Sequence, residues 1–211
     1  MAMNGKSAIR IGAMVLAASA AIGISGCSEA PFLAGQETAT STPTPTFTAP
    51  APVEVITNDL ATGSTIRELE AGNIALSVTY YSTLSMDKWV AGAAKPVSFS
   101  MTASLNSDRG EKVYLSRVSL TPTVTGPDGA LPAPAALVDS ATVTPGYYLK
   151  DPYSYSQTFI VPAVDANATS VTLSLNYELL LQTTKTSKTY SKQSASDTLT
   201  IAIAQPETEA E

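Results

Sequence analysis

Apolar and polar residues alternate with a period of two over several long stretches between residues 53 and 205. In the segment 171–179, Val, Leu and Tyr occupy every second position, and Thr, Ser, Asn and Glu lie between them. The segment 97–105 repeats the pattern with Ser and Thr on its polar side. Strict alternation is typical of strands in an antiparallel sheet that has one buried face and one solvated face.

Turn-forming residues separate these segments, as at 106–110, 126–129 and 165–168. The alternation slips between Leu115 and Val118, which predicts a bulge. Residues 84–94, which include Trp89, are predicted as one short helix or a loop, and 183–194 as the connection of a terminal hairpin. The pattern predicts eight or nine strands, near 53–57, 65–69, 73–83, 96–105, 112–124, 136–143, 153–161, 170–182 and 195–204.

Many short strands within roughly 150 residues predict an all-β domain, namely an immunoglobulin-like antiparallel β-sandwich. The likeness to immunoglobulin domains is one of architecture, because the Cys…Trp…Cys signature is missing. A closed barrel with a ligand cavity is the alternative fold. A domain of about 150 residues buries roughly 68–70% of its unfolded surface, which is enough for a core without disulfides.

The N-terminal segment has the pattern of a secretory signal peptide. Lys6 and Arg10 precede an uncharged, largely apolar stretch at 11–24, and small residues follow at Ser25 and Gly26. The stretch is shorter than the ~20 residues that span a bilayer. A buried helix is the alternative, and the stretch rich in Gly, Ser, Thr and Pro that follows argues against it.

Residues 1–27 resemble the N-termini of Gram-positive bacterial lipoproteins, in which a lipobox ends in cysteine. Here the motif is Ile24-Ser25-Gly26-Cys27, with Ile where the family prefers Leu. The resemblance implies that residues 1–26 are removed and that Cys27 becomes a lipidated N-terminus on the extracellular face of the cell membrane. Two acyl chains anchor a protein stably, whereas one does so marginally. Secretion with a free thiol at Cys27 is the alternative.

Residues 27–52 have the composition of a linker, rich in Thr, Pro and Ala. Proline restricts the backbone and removes hydrogen-bond donors, so this stretch is expected to be an extended spacer of ~3.1 Å per residue. The predicted organisation is therefore a signal peptide (1–26), a lipidated linker (27–52), a β-sandwich (53–205) and an acidic tail (206–211).

Composition excludes several classes of chemistry. Cys27 is the only cysteine and there is no histidine. Disulfides, Cys/His zinc sites, Ser-His-Asp triads and Cys-His dyads are therefore excluded. Removal of Lys6 and Arg10 leaves 10 basic against 18 acidic residues, which argues against nucleic-acid binding. We predict no cofactor and no metal site.

The clearest candidate binding surface is a cluster of tyrosines around residues 150–152, composed of Tyr147, Tyr148, Tyr153 and Tyr155. Tyrosine combines an apolar ring with a polar tip, as surfaces for sugars or peptides require. The alternative is structural: Tyr153 and Tyr155 alternate on one strand, and Tyr147 or Tyr148 covers a sheet edge.

A second candidate is the predicted hairpin tip at 182–194, which carries Lys185, Lys188 and Lys192. Three lysines in an acidic protein suit contact with anionic wall polymers or lipid headgroups. The alternative is a solvated loop whose lysines discourage edge-to-edge pairing of strands.

Two further sequence patterns are weaker candidates for chemistry. Ser85 and Lys88 fit the S-x-x-K pattern of penicillin-recognising enzymes, but in a β-rich context that lacks the further motifs. Asp165 and Asn167 place oxygen ligands at alternate positions, as in part of a calcium loop, and a turn is the simpler interpretation.

These features predict a non-enzymatic surface lipoprotein that presents its domain for binding or structural work in the cell envelope. Its expected partners are the membrane, through the lipid, and an envelope protein or cell-wall polymer. The alternatives are an envelope enzyme or accessory module that acts on wall material, and a carrier of a small ligand.

Overall fold

The computed structural model describes residues 56–205 of the 211-residue chain. The predicted signal peptide, Cys27, the linker and the acidic tail lie outside the described residues. The described part contains no helix that is long and apolar enough to cross a membrane.

The described residues form ten strands, and eight of the nine predicted segments coincide with one of them. The short strands β5 and β7 were not predicted, because two or three residues are too few to show an alternation. The strands are β1 (Ser64–Ala71), β2 (Ile74–Tyr81), β3 (Lys95–Leu105), β4 (Val113–Gly126), β5 (Gly129–Leu131), β6 (Leu137–Ser140), β7 (Tyr147–Tyr148), β8 (Tyr155–Val161), β9 (Ser170–Gln182) and β10 (Tyr190–Ala202).

The strands form two antiparallel sheets that pack face to face, which confirms the predicted β-sandwich and not a closed barrel. One sheet has the order β1-β2-β3-β8 and the other β10-β9-β4-β5, with β6 and β7 also paired to β4. The orders β2-β3-β8 and β10-β9-β4 match strands A-B-E and G-F-C of immunoglobulin domains. The predicted immunoglobulin-like architecture is therefore present, with β1 added outside β2.

Alternation along each strand produces the core. In β2, every second side chain from Ile74 to Tyr80 is fully buried, and the residues between them are partly exposed. Phe99 of β3 lies at the centre of an aromatic group in which its ring centroid is 5.7–6.3 Å from those of four others, namely Tyr80, Tyr155, Phe159 and Tyr177. Burial of each large apolar side chain contributes about 1.5–3 kcal/mol.

The predicted bulge is confirmed at Ser116. Leu115 lies opposite Leu179 of β9 and Arg117 lies opposite Glu178, so Ser116 has no partner in the register. Its hydroxyl donates instead to the Glu178 carbonyl at 3.0 Å. The extra residue keeps both Leu115 and Val118 in the core, since a one-residue slip would otherwise turn one of them outward.

The first predicted strand, 53–57, is wrong for its described residues, because 56 and 57 have no regular structure. Side-chain contacts fix the next residues instead. The amide of Leu60 donates to the Asn58 side chain, and the amide of Thr200 donates to the Asp59 carboxylate at 2.7 Å. The Asp59 amide in turn donates to the Thr200 carbonyl at 2.8 Å, so one backbone bond and one carboxylate bond join this segment to β10.

Residues 84–94 contain both of the predicted alternatives, a 3-10 helix at Met86–Lys88 and a loop around it. Trp89 is fully buried, and its indole N–H donates to the Ser82 hydroxyl. Lys95 is also fully buried, and its ammonium donates to the carbonyls of Ala91 and Ala93 at 2.9 and 2.7 Å. The pKa of Lys95 is lowered because burial disfavours its charged form.

The sandwich has two ends that differ in content. The terminal end holds the segment 82–94 and the first and last described residues, 56 and 205. The distal end holds the turns at 72–73, 106–112 and 183–189. Since β1 runs from the terminal end to the distal end, the chain enters the domain at the side away from the distal turns.

Candidate functional site

The structure divides the predicted tyrosine cluster into two pairs that face opposite ways. The predicted alternation of Tyr153 and Tyr155 on one strand is wrong, since β8 begins at Tyr155 and Tyr153 belongs to the preceding turn. That turn is closed by a hydrogen bond from the Tyr153 amide to the Lys150 carbonyl. The prediction that one of Tyr147 and Tyr148 covers an edge holds for both, because they form β7 beside β4.

The inward pair consists of Tyr147 and Tyr155. Their rings stack at 5.1 Å with an interplanar angle of 20°, and both pack against the core. The Tyr155 hydroxyl donates to the Asp139 carboxylate of β6. Burial, followed by this hydrogen bond, raises the pKa of Tyr155 well above its ordinary value. These contacts join β6, β7 and β8 and give the inward pair a structural role.

The outward pair, Tyr148 and Tyr153, belongs to a longer row on the outer face of the β4 sheet. Successive ring centroids from Tyr153 to Tyr148, Tyr114 and Tyr190 are 5.1, 5.5 and 5.8 Å apart. We call these four residues the tyrosine strip. Tyr153 is 57% exposed and the other three are partly exposed.

Strand alternation explains how the strip forms. Val113 and Leu115 point into the core, so Tyr114 between them points outward. Tyr148 lies directly opposite Tyr114 in the pairing of β7 with β4. Tyr190 begins β10, and its ring reaches Tyr114 across the intervening strand β9. Burial and the two neighbouring phenols raise the pKa of Tyr114.

An open cleft of about 390 Å³ lies along the strip, lined by Lys112, Tyr114, Tyr148 and Tyr153. Lys112 and Tyr114 are two residues apart on one chain segment, and they therefore share a side of the sheet. Apolar rings, phenol hydroxyls and one ammonium group converge here. Such an arrangement suits a polar ligand that also has apolar faces.

The three predicted lysines lie at the distal end but not all at a hairpin tip. Lys185 and Lys188 are in the turn at 183–189. Lys185 lies close to the turn at 106–112, because a Cβ atom placed on Gly110 would be 3.5 Å from the Lys185 Cβ. Lys192 is instead within β10, opposite Leu180, with its ammonium 2.5 Å from a Glu178 carboxylate oxygen. The hairpin is longer than predicted because Tyr190 and Gln182 pair directly.

The distal end also has a polar cleft of about 380 Å³, which lies between the turn at 106–112 and the ends of β9 and β10. Asn73 and Ser107 exchange two hydrogen bonds of 2.9 Å at its border. Glu111 receives the Arg109 amide at 2.8 Å. The Lys150 ammonium lies 2.6 Å from the Asp108 carboxylate, and this bond, followed by the Gly110 amide, lowers the pKa of Asp108. Local bonds thus order the distal turns.

Of the weaker sequence patterns, Ser85 and Lys88 belong to the 3-10 helix and its N-cap, and Asp165 and Asn167 belong to a turn. The pKa of the Asp87 carboxyl is lowered chiefly by the Ser85 hydroxyl, and to a smaller extent by the backbone amide of Asp87 and the charge of Lys88. The Asp165 side chain accepts the Asn167 amide at 2.8 Å, which is a local turn bond. Within residues 56–205 no group of three or more His, Cys, Asp or Glu is placed to hold a metal ion.

Sequence reasoning missed Tyr114, Tyr190 and Lys112 as members of the site. Tyr114 has a visible signal, because it stands on the polar side of an alternating strand. Nothing in the sequence brings it to Tyr148 or Tyr190, which depends on strand pairing. No protein-family model matches this chain, and no curated protein is significantly similar to it.

Proposed function

We propose that this protein is a non-enzymatic lipoprotein of the bacterial cell surface that presents an immunoglobulin-like β-sandwich as a binding module in the envelope. The proposed anchoring rests on the position of Cys27, the only cysteine in the sequence. It directly follows two basic residues, the apolar stretch at 11–24 and the small residues Ser25 and Gly26. A thioether-linked diacylglycerol there would hold the protein on the extracellular face of the membrane.

The binding role is supported by the tyrosine strip and by its place in the domain. Its rings are on a solvated sheet face rather than in the core, at the distal half of the sandwich. The chain that leads back to Cys27 enters at the terminal end. A linker rich in Thr and Pro between them would act as a spacer that holds the domain off the membrane.

The anchoring is tested by replacing Cys27→Ala in the full chain expressed in a Gram-positive host. The parent protein is expected in the detergent phase on temperature-induced phase partitioning, because its acyl chains enter micelles. The variant should move to the aqueous phase. Ser28→Ala is the matched control and should partition like the parent.

Mass analysis of residue 27 in the parent gives a second measurement. A diacylglyceryl thioether supports the proposal. A free thiol at residue 27, or equal partitioning of the parent and Cys27→Ala, would contradict it.

A further inference from the structure

The tyrosine strip runs across strands rather than along one. Tyr148 belongs to β7, Tyr114 to β4 and Tyr190 to β10, and β9 lies beneath the contact between the last two. An extended peptide that adds to a sheet needs a free strand edge with backbone donors and acceptors. The strip itself is a row of four side chains on the face of the sheet, which favours a ligand recognised through ring faces and hydroxyls.

The tilt of the rings further limits the ligand. Successive rings are inclined by 60°, 51° and 85°, so their faces do not form one plane. A flat crystalline surface would need coplanar rings. The spacing of 5.1–5.8 Å between centroids is comparable with the length of one sugar ring. A single, twisted polysaccharide chain fits such a row, with its C–H faces on the rings and its hydroxyls on the phenol tips.

Charge at the distal end favours an acidic chain. Six of the ten Lys and Arg residues between 56 and 205 lie there: Arg109, Lys112, Lys150, Lys185, Lys188 and Lys192. Among the described residues, Lys112, Lys185 and Lys188 make no ion pair. The distal end therefore holds unpaired positive charge although the whole chain is acidic.

The acidic side chains at this end do not cancel the charge along the strip. Asp108 is paired with Lys150, and Glu178 with Lys192. Glu111 lines the polar cleft beside Arg109. Asp151 lines a cleft on the other sheet with Glu68. Lys112 is therefore the charged group that lines the strip's own cleft.

We infer that the tyrosine strip binds an anionic polysaccharide of the cell envelope, with sugar rings against Tyr148 and Tyr153 and acidic groups at Lys112. This inference rests on the proposed function for its location and names the ligand class of that binding module. Lys185 and Lys188 extend the positive surface for the next acidic groups of the chain.

The test is co-sedimentation of the full-length protein, purified in detergent, with Gram-positive cell walls. One sample of walls keeps its phosphodiester-linked polymers, and a second has lost them by hydrofluoric acid extraction. The intact walls should bind the protein. The extracted walls should bind it with an affinity at least about tenfold lower, which corresponds to ~1.4 kcal/mol. Binding should also weaken as salt is raised, because exposed charges are screened.

Variants locate the site. The double variant Tyr148→Ala/Tyr153→Ala and the single variant Lys112→Gln should each lose about tenfold in affinity or more, the latter with a smaller salt dependence. Tyr81→Ala, on the outer face of the other sheet, and Lys88→Gln, at the terminal end, are matched controls that should bind normally. Thermal unfolding verifies that each variant is folded, and Lys112→Gln tests the inference should the double variant unfold.

Each outcome decides one question. Equal binding to intact and extracted walls, or parent-like binding by Lys112→Gln and the double variant, overturns the inference. Binding that disappears when protease has first removed the wall-associated proteins would point to a protein partner and also overturn it. Wall binding by a protein whose residue 27 carries a free thiol would contradict the lipoprotein proposal alone.

Discussion

The nine tyrosines of this chain divide into an inner set and an outer set that use the same side chain differently. The inner set lies between the sheets. Three of its rings surround Phe99, namely those of Tyr80, Tyr155 and Tyr177, and the fourth, Tyr147, stacks on Tyr155. Tyr114, Tyr148, Tyr153 and Tyr190 form the strip on a solvated face. The ninth, Tyr81, is on the outer face of the other sheet.

The difference lies in what the hydroxyls contact. In the inner set, the Tyr80 and Tyr177 hydroxyls bond each other at 2.9 Å, and Tyr155 bonds Asp139. Buried polar tips are thus satisfied within the protein, as stability requires. In the strip, the tips face solvent, where a ligand can reach them. Tyr147 and Tyr148 are adjacent in sequence yet belong to different sets, so local composition alone does not reveal whether a tyrosine supports the fold or recognises a ligand.

The largest expected effect comes from emptying the centre of the inner set. Phe99→Ala should lower the free energy of unfolding by about 3–5 kcal/mol, because it leaves a cavity among four aromatic rings. The measurement is the midpoint and slope of chemical denaturation. Phe99→Leu is the control and should cost less, since it refills part of the volume. A loss below ~1 kcal/mol in Phe99→Ala would contradict the central role of this ring.

A smaller effect is expected from removing one hydroxyl of the hydrogen-bonded Tyr80 and Tyr177. Tyr177→Phe leaves the Tyr80 hydroxyl without this partner and should cost about 1–3 kcal/mol at neutral pH. Tyr81→Phe is the matched control and should be nearly neutral. If both variants lost equal stability, the buried hydrogen bond would not be the cause.

The free energy of unfolding at alkaline pH gives a second measurement on Tyr177→Phe. Burial, with the neighbouring phenol and Asp197, raises the pKa of Tyr80 far above its ordinary value of 10.0; burial likewise raises that of Tyr177. The folded state therefore keeps protons that the unfolded state releases above pH 10.0. Stability should fall as the pH rises from there, by ~1.4 kcal/mol per pH unit for each such group. Tyr177→Phe should fall less steeply than the parent.

The smallest effect on stability is expected in the strip. Tyr153→Ala should change the free energy of unfolding by no more than about 0.5 kcal/mol, because the side chain is largely exposed. Tyr155→Ala, two residues away, is the contrasting variant and should be clearly destabilised. Equal destabilisation of the two would mean that the strip also supports the fold, and it would remove the distinction between the sets.

Much of the fold is predictable from the sequence because strand alternation is a local property. The predicted strand 170–182 agrees with β9 at both ends, and the phase slip after Leu115 marks the bulge at Ser116. Predictions fail where non-local contacts decide. Asp59 joins its segment to β10 through its side chain as well as its backbone amide. Lys192 is in a strand because β9 and β10 pair up to Gln182 and Tyr190.

The candidate site was only half visible in the sequence. The predicted cluster from Tyr147 to Tyr155 lies in the region of the strip. Only Tyr148 and Tyr153 belong to the strip, whereas Tyr147 and Tyr155 are structural. Lys185 and Lys188 do lie in a turn at the distal end. Tyr114 and Lys112 were hidden within a strand pattern that is fully explained by the core residues beside them.

The sequence by itself determined that this chain forms strands with one apolar and one hydroxyl-rich face, since a period of two fixes the side of the sheet for each residue. It also carries the motif at Cys27 on which the proposed anchoring rests. Only the tertiary structure decided which tyrosines meet, because sheet order and register bring β4, β7 and β10 together from distant parts of the chain. The strip exists through that pairing, and the short-range pattern that produces each strand contains no information about its neighbours.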